Sequence, residues 1–264
     1  MGERKWIRSW AAATAVVVTS ILTSCNHEPP AYESKYRPPS TTPFTTTPPP
    51  LPPLPTEASF VDDFNRPNST FGLGEGWDLR GSYLGSFPLP PATDGFIKDG
   101  SFTYGGDSIV AAVRQLRSTV RRMGAVGHWA QTRPGAETTL AMAITANDHL
   151  FSDVVLFTAN RARWDLSVRR ANGVFSSMAQ RDFAPPLELD RAYQFEIEAT
   201  DTAVTVRVPD AETTMQVSTV GLLGDRVFWQ EFAKPTDLPA GVVFDFDTVW
   251  AVEDHQPLLP VPAL

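Results

Sequence analysis

The sequence predicts an all-β fold, an antiparallel β-sandwich, carried after a disordered Pro/Thr-rich stalk. Three observations predict it. From Ser59 onward apolar residues recur at every second position, enriched in β-branched and aromatic types, which is the period of a half-buried strand. Turn-forming clusters such as Arg133-Pro134-Gly135 and Ala171-Asn172-Gly173 break these runs at short intervals. No stretch sustains the apolar period of about 3.6 residues, with capping signals, that a long helix needs.

The elements follow in chain order. Residues 1–24 read as an export signal: Arg4, Lys5 and Arg8 precede an apolar run, Ala11 to Val18 with Ile21-Leu22, that is too short to span a bilayer. Leu22-Thr23-Ser24-Cys25 resembles the bacterial lipobox, and the resemblance implies that Cys25 carries a lipid and becomes the mature amino terminus. The expected location is therefore the outer face of the cell membrane, with the protein exported and held there by the anchor. Residues 25–58 are the stalk, where Pro29-Pro30, Pro38-Pro39, Pro48-Pro49-Pro50 and Pro52-Pro53 alternate with threonines. Proline fixes φ and removes donors, so this stretch is extended coil and adds no core. The sandwich is expected over 59–253. Its clearest strands are Tyr193 to Ala199 and Ala203 to Val208, joined as a hairpin across Thr200-Asp201-Thr202, with further strands over Thr138–Ala146, Val154–Thr158, Trp164–Arg170 and Val242–Val252. A Pro-rich tail, 254–264, cannot continue a strand.

Composition limits what this domain does. The chain of 264 residues carries a formal net charge of −8, and an acidic body repels phosphate backbones, so nucleic acid is not expected as a partner. The single cysteine excludes a disulfide within the chain and a thiolate metal site. Stability must come from a sheet-on-sheet core.

Phe60-Val61-Asp62-Asp63-Phe64-Asn65-Arg66, with Gly76-Trp77 after it, resembles the opening of concanavalin A-like, or laminin-G-like, jelly-roll domains. Phe244-Asp245-Phe246-Asp247-Thr248-Val249-Trp250 is similar to their closing strand, which in that family pairs with the first. The resemblance implies a jelly roll over 59–253. The family contains carbohydrate-binding modules, glycosidases and adhesion domains, so function must be read from the site.

Several constellations offer chemistry. Jelly-roll glucanases carry a strand resembling Glu-x-Asp-x-x-Glu, and Glu196-Ile197-Glu198-Ala199-Thr200-Asp201 approaches it without the final Glu. The alternation reads Glu196 and Glu198 as solvent-facing, opposite a core face of Phe195, Ile197 and Ala199. Gly106-Asp107-Ser108-Ile109 resembles the nucleophile block of SGNH-type esterases, with Ala146-Asn147-Asp148 and Asp254-His255 as partners, but Thr145 stands where that family has Gly and the surroundings alternate as strands. A turn explains it better. His27, His128, His149 and His255 show no ligand spacing. Asp245 and Asp247 share a face of the closing strand beside Asp63, so these three are the candidate ligands of a structural calcium ion, with plain solvation as the alternative. Trp77 and Trp250 are assigned to the core. In Phe228-Trp229-Gln230-Glu231-Phe232, alternation separates Trp229 and Glu231 from the other three, and this pair is the candidate sugar platform. The sequence thus favours a surface-anchored, non-enzymatic recognition domain for a cell-envelope polysaccharide or a surface protein partner. A glycoside hydrolase or esterase of the envelope, and a structural or phage-type envelope protein, remain the alternatives.

Overall fold

The period-two pattern resolves into sixteen strands among the described residues, with no helix there. The computed structural model describes residues 50–82, 95–105, 109–146, 153–170, 175–232 and 240–254. The signal segment, Cys25, the stalk up to residue 49, Gly106–Ser108, Asn147–His149, the 171–173 turn and the tail from His255 lie outside them.

The strands of the first half are β1 (Phe60–Asp62), β2 (Asp78–Ser82), β3 (Gly95–Lys98), β4 (Ser101–Tyr104), β5 (Ile109–Gln115), β6 (Val120–Gln131), β7 (Ala136–Glu137) and β8 (Thr139–Thr145). The second half adds β9 (Val154–Ala159), β10 (Arg163–Arg169), β11 (Phe175–Asp182), β12 (Tyr193–Ala199), β13 (Ala203–Val208), β14 (Ala211–Gln216), β15 (Arg226–Phe232) and β16 (Ala240–Glu253). The β12–β13 hairpin has the expected bounds, and β8, β9, β10 and β16 fall within two residues of theirs.

Two sheets result. One runs β14-β13-β12-β6-β16-β4-β3, with β1 and β7 also on β16, and the other runs β11-β10-β9-β8-β15-β5-β2. Pairing is antiparallel except for the short β7 on β16. The closing strand pairs with the first, as the resemblance implied: Phe60 lies opposite Ala251 and Asp62 opposite Val249.

Aromatic rings from both sheets meet between them. Trp129, Phe195, Phe244, Phe246 and Phe102 come from the nine-stranded sheet, and Phe157, Trp164 and Trp229 from the seven-stranded one, all essentially buried. Each such side chain contributes roughly 1.5–3 kcal/mol, which lets the domain stand without disulfides. Two glycines of β6 make the rings fit. A Cβ at Gly127 would lie 2.6 Å from the Phe244 ring, and one at Gly124 would lie 2.3 Å from the Trp250 ring. Trp250 is therefore buried as expected, but on the outer face of its sheet, across Gly124 and beneath the Arg122 guanidinium 5.4 Å from its ring.

The opening segment works as a clasp. Asp62 accepts two hydrogen bonds from Arg66 (2.7 and 2.9 Å), one from the Phe64 amide (2.8 Å) and one from Trp77 Nε1 (2.8 Å). Burial alone would push the Asp62 carboxyl up, but these donors outweigh it and hold it below the usual range. Phe64, in the left-handed region at φ 52°, turns its ring fully into the core.

One expectation fails here. Trp229 and Glu231 do not face outward; both are completely buried. Trp229 packs on Trp77 and Phe60 at 5.6 and 6.0 Å between ring centroids, and its Nε1 donates to Gly124 O of the opposite sheet at 3.0 Å. The reason is the position of β15, a central strand between β8 and β5. Phe228 on its other face joins a second apolar cluster with Ala111, Ala141, Ala143, Val154 and Leu156, so both faces are buried and alternation does not say which is inside. Trp229→Ala is accordingly expected to cost about 3–5 kcal/mol, the penalty of a large-to-small core change. Urea denaturation measures this; a loss below about 1 kcal/mol would contradict the packing.

Candidate functional site

The ladder between β6 and β16 sets His128 opposite Asp245 on the outer face of the nine-stranded sheet. A β-bulge between Phe246 and Thr248 leaves Asp247 without a cross-strand partner and turns it to the same imidazole. His128 Nδ1 stands 3.1 Å from Asp247 Oδ2, and Nε2 stands 3.8 Å from Asp245 Oδ2. The three side chains are partly open, at 28, 30 and 17 % exposure for His128, Asp247 and Asp245. Ser101 Oγ of β4 donates to Asp247 Oδ1 at 2.8 Å, and the Thr103 side chain bonds Asp245.

The environments differ. The Asp247 hydrogen bond raises the His128 pKa against the opposing effect of burial, and the charges of Asp247, Asp245 and Asp190 add to it. Burial pushes the Asp245 carboxyl up, aided by Asp247 and opposed by Thr103, His128 and Lys98. Asp245 Oδ1 is buried without a hydrogen-bond partner. Thr103, which bonds Asp245, also lines an adjoining cleft of ≈ 240 Å³ with Phe96, Lys98, Thr132 and Arg133; His128, Asp245 and Asp247 themselves are not in its lining.

Behind the cleft the β16 edge is interrupted. β7 covers it at Ala240 and Val242, and β4 meets it at Phe246. At Phe244 between them, the amide donates to Thr138 Oγ1 at 3.0 Å and to the Glu231 carboxyl, which also takes Thr138 Oγ1–H at 3.2 Å. Glu231 thus reaches from the opposite sheet to the residue next to Asp245. Burial, reinforced by the charge of Asp245, raises its pKa well above the ordinary carboxylate value, and its Oε2 has no partner.

The acids of β12 are arranged differently from the reading of two solvent-facing glutamates. Glu196 is almost fully buried; Arg122 grips it through Nε at 2.6 Å and Nη2 at 3.0 Å. Arg207 Nη1 bonds both Glu196 and Glu198, the latter at 2.8 Å, and its Nε holds Glu212 at 2.8 Å. The cause is register: Glu196 pairs with Arg207 on one side and lies diagonally from Arg122 on the other. Asp201, in the turn, is held by Arg121 at 2.7 Å.

The calcium trio is not assembled either. Asp63 is exposed and accepts its own Asn65 amide at 3.1 Å, whereas Asp245 and Asp247 flank His128. Among the described residues no group of three or more His, Cys, Asp or Glu side chains is arranged to hold a metal ion. The imidazole takes the position between the two aspartates that the expectation gave to a cation. Sequence reasoning found Asp245 and Asp247 but not His128, Lys98, Thr103 or Arg133, because only strand pairing brings these together.

Glu231 gives a pH test. Its folded pKa lies above the unfolded value of about 4.3. Its contribution to stability is therefore full below that unfolded value and is lost as pH rises through the folded one. Glu231→Gln keeps the acceptor for Thr138 and Phe244 without the ionisation, so it should gain on the wild type as pH rises from about 4 through neutrality. Urea midpoints across pH measure this, and a constant difference between the two proteins would refute it.

Neither a protein-family model nor a curated protein matches the sequence. Solved structures do match in shape. The laminarinase from Rhodothermus marinus superposes with a TM-score of 0.53 at 11% identity, covering 75% of this chain and 97% of that one. LamA from Zobellia galactanivorans, in complex with laminaritriose and laminaritetraose, gives 0.53 at 9% over 74% and 98%. The Bacteroides ovatus mixed linkage glucan GH16 protein, in complex with its product, gives 0.52 at 13% over 73% and 99%. At these identities the likeness is one of architecture, and the chain has the antiparallel, concanavalin A-like jelly-roll fold of these proteins.

Proposed function

We propose that this chain is a polysaccharide-acting domain that hydrolyses glycosidic bonds at the cleft beside Asp245 and is displayed on a lipid-anchored stalk. The observation that carries the reading is the pair of carboxyl groups either side of His128, one pushed toward its neutral form by burial and the other bonded by Ser101 and the imidazole. Two carboxyl groups with environments pulled apart are what glycoside hydrolysis requires. Asp245 gives its proton to the leaving glycosidic oxygen. Asp247, oriented by Ser101 and His128, takes a proton from the water whose oxygen bonds the anomeric carbon. The shared fold of a laminarinase and a mixed linkage glucan protein supports this class of substrate.

A second reading, glycan binding without cleavage, is favoured by one observation. Glu196 and Glu198, the residues nearest the glucanase strand pattern, are both engaged by arginines. Reducing-end release from laminarin and mixed-linkage glucan separates the two. Under the proposal Asp245→Asn lowers kcat about 100-fold or more with little change in KM, the scale of a lost general acid. Binding without release by the wild type would leave the second reading in place.

The anchor is part of the proposal. Leu22-Thr23-Ser24-Cys25 and the proline-rich stretch after it support a lipid on Cys25 and a domain held off the outer face of the cell membrane, within reach of envelope polysaccharide. Cys25→Ala should accumulate as the full-length precursor. Processing and membrane retention equal to the wild type would show that the cysteine is incidental.

A further inference from the structure

We infer that Glu231 is a positioning residue for Asp245: from the opposite sheet it holds the Phe244 amide and so keeps the Asp245 carboxyl against His128. The consequence for catalysis rests on the polysaccharide-acting reading, in which Asp245 is the general acid.

The contact is built from fixed parts. Glu231 stands on β15 between Val110 of β5 and Leu140 of β8, and its side chain is fully buried. A strand paired on both sides gives that side chain a rigid origin. The Thr138 amide donates to Val242 O at 2.8 Å, which pins Thr138 to β16. Its hydroxyl donates to Glu231 Oε1 at 3.2 Å, so its lone pairs are left for the Phe244 amide at 3.0 Å. The Glu231 carboxyl accepts from the same amide. One backbone N–H is thus held at two points, and its residue immediately precedes Asp245.

Asp245 depends on that hold. Among the described residues Thr103 bonds its carboxyl, whereas His128 Nε2 stands 3.8 Å from Oδ2, beyond hydrogen-bond range, and Oδ1 has no partner. The Phe244 ring is locked against Trp129 and Phe246, at 4.6 and 4.9 Å between centroids. Ring and amide of Phe244 together therefore set the direction in which the chain enters Asp245. Burial and the charge of Asp245 both favour the protonated form of Glu231, so the strut adds no second negative charge beside the acid. A misplacement of about 1 Å at a reacting group costs up to about 100-fold in rate.

The test compares three variants of the intact chain. Glu231→Leu keeps the bulk without the acceptor, Glu231→Gln keeps the acceptor, and Thr138→Val removes the hydroxyl at nearly constant volume. The first readout is the His128 imidazole, titrated by NMR without substrate. Asp247, Asp245 and Asp190 hold its pKa up, and Lys98 acts on Asp245 in the opposite sense to burial. Glu231→Leu should move that titration down as Asp245 swings away, and Glu231→Gln should leave it in place. The second readout is hydrolysis of laminarin and mixed-linkage glucan. Here Glu231→Leu should lower kcat about tenfold or more at unchanged KM, and Glu231→Gln should stay within about twofold. A merely structural Glu231 would lower the urea midpoint of Glu231→Leu and leave both readouts at their wild-type values, which overturns the inference. Should Glu231→Leu not fold, Thr138→Val decides by the same two readouts with the same signs. A wild type that cleaves neither glucan sinks hydrolysis alone, because the imidazole titration needs no substrate and still decides the positioning.

Discussion

The ladder between β6 and β16 is the constraint on which the rest of the structure depends. It places Trp129, Phe244 and Phe246 in one aromatic layer, with Trp129 and Phe244 4.6 Å and Phe244 and Phe246 4.9 Å between centroids. On the outer face the same register lays Trp250 over Gly124 and sets His128 opposite Asp245. A slip by one residue would exchange the two faces, sending the phenylalanines to water and the aspartates into the core. The bulge at Phe246/Thr248 works within this frame: it adds Asp247 to the imidazole without disturbing the core positions on either side.

The interruption of β16 at Phe244 ties the sheets together. An unpaired amide inside the protein would cost about 1–3 kcal/mol, and among the described residues no strand pairs with it on this side. Thr138 and Glu231 take the place of that strand, and Glu231 does so from β15 of the opposite sheet. The central strand of one sheet thereby fixes the backbone next to Asp245 in the other. Trp229, two residues before Glu231, makes a parallel link through Gly124 O. The pair read from the sequence as an outward platform supplies two inter-sheet struts, Trp229 to Gly124 and Glu231 to Phe244.

What was legible in the sequence follows the same physics. β12, β13 and β16 show one clean alternating face and were read with nearly correct bounds. β6 was not read, because Arg121-Arg122, Gly124, Gly127 and His128 interrupt its apolar pattern, and each interruption is explained only by a partner distant in sequence. β15 was read with its faces reversed because both are buried. The opening Asp62 to Trp77 segment carried a resemblance whose physical content is the clasp around the Asp62 carboxylate. Asp245 and Asp247 were singled out for a sound reason, that neighbouring carboxylates need company. Which company they keep depends on register, and register is not written in either strand alone.

Two acid clusters share the outer face of the nine-stranded sheet, and hydrogen-bond satisfaction separates their roles. Around Glu196 every carboxylate oxygen has a guanidinium partner, and Arg122 extends the network to Glu57 at 2.7 Å. Removing Arg122 would leave Glu196 Oε2 without a partner and Oε1 with Arg207 alone, a cost in stability that is the behaviour of a structural network. Around His128 the accounting does not close. Asp245 keeps one oxygen buried and unbonded, and Glu231 behind it keeps another. Folding gains nothing from two such atoms, each worth about 1–3 kcal/mol of lost stability, and a hydrophobic replacement would remove the penalty. Unmet hydrogen-bonding capacity next to an open cleft is better suited to a ligand or a transferred proton than to the fold. On the proposed reading, a ligand or a proton is exchanged at the His128 cluster on β16, and the arginine-held acids of β12 tie the sheet together.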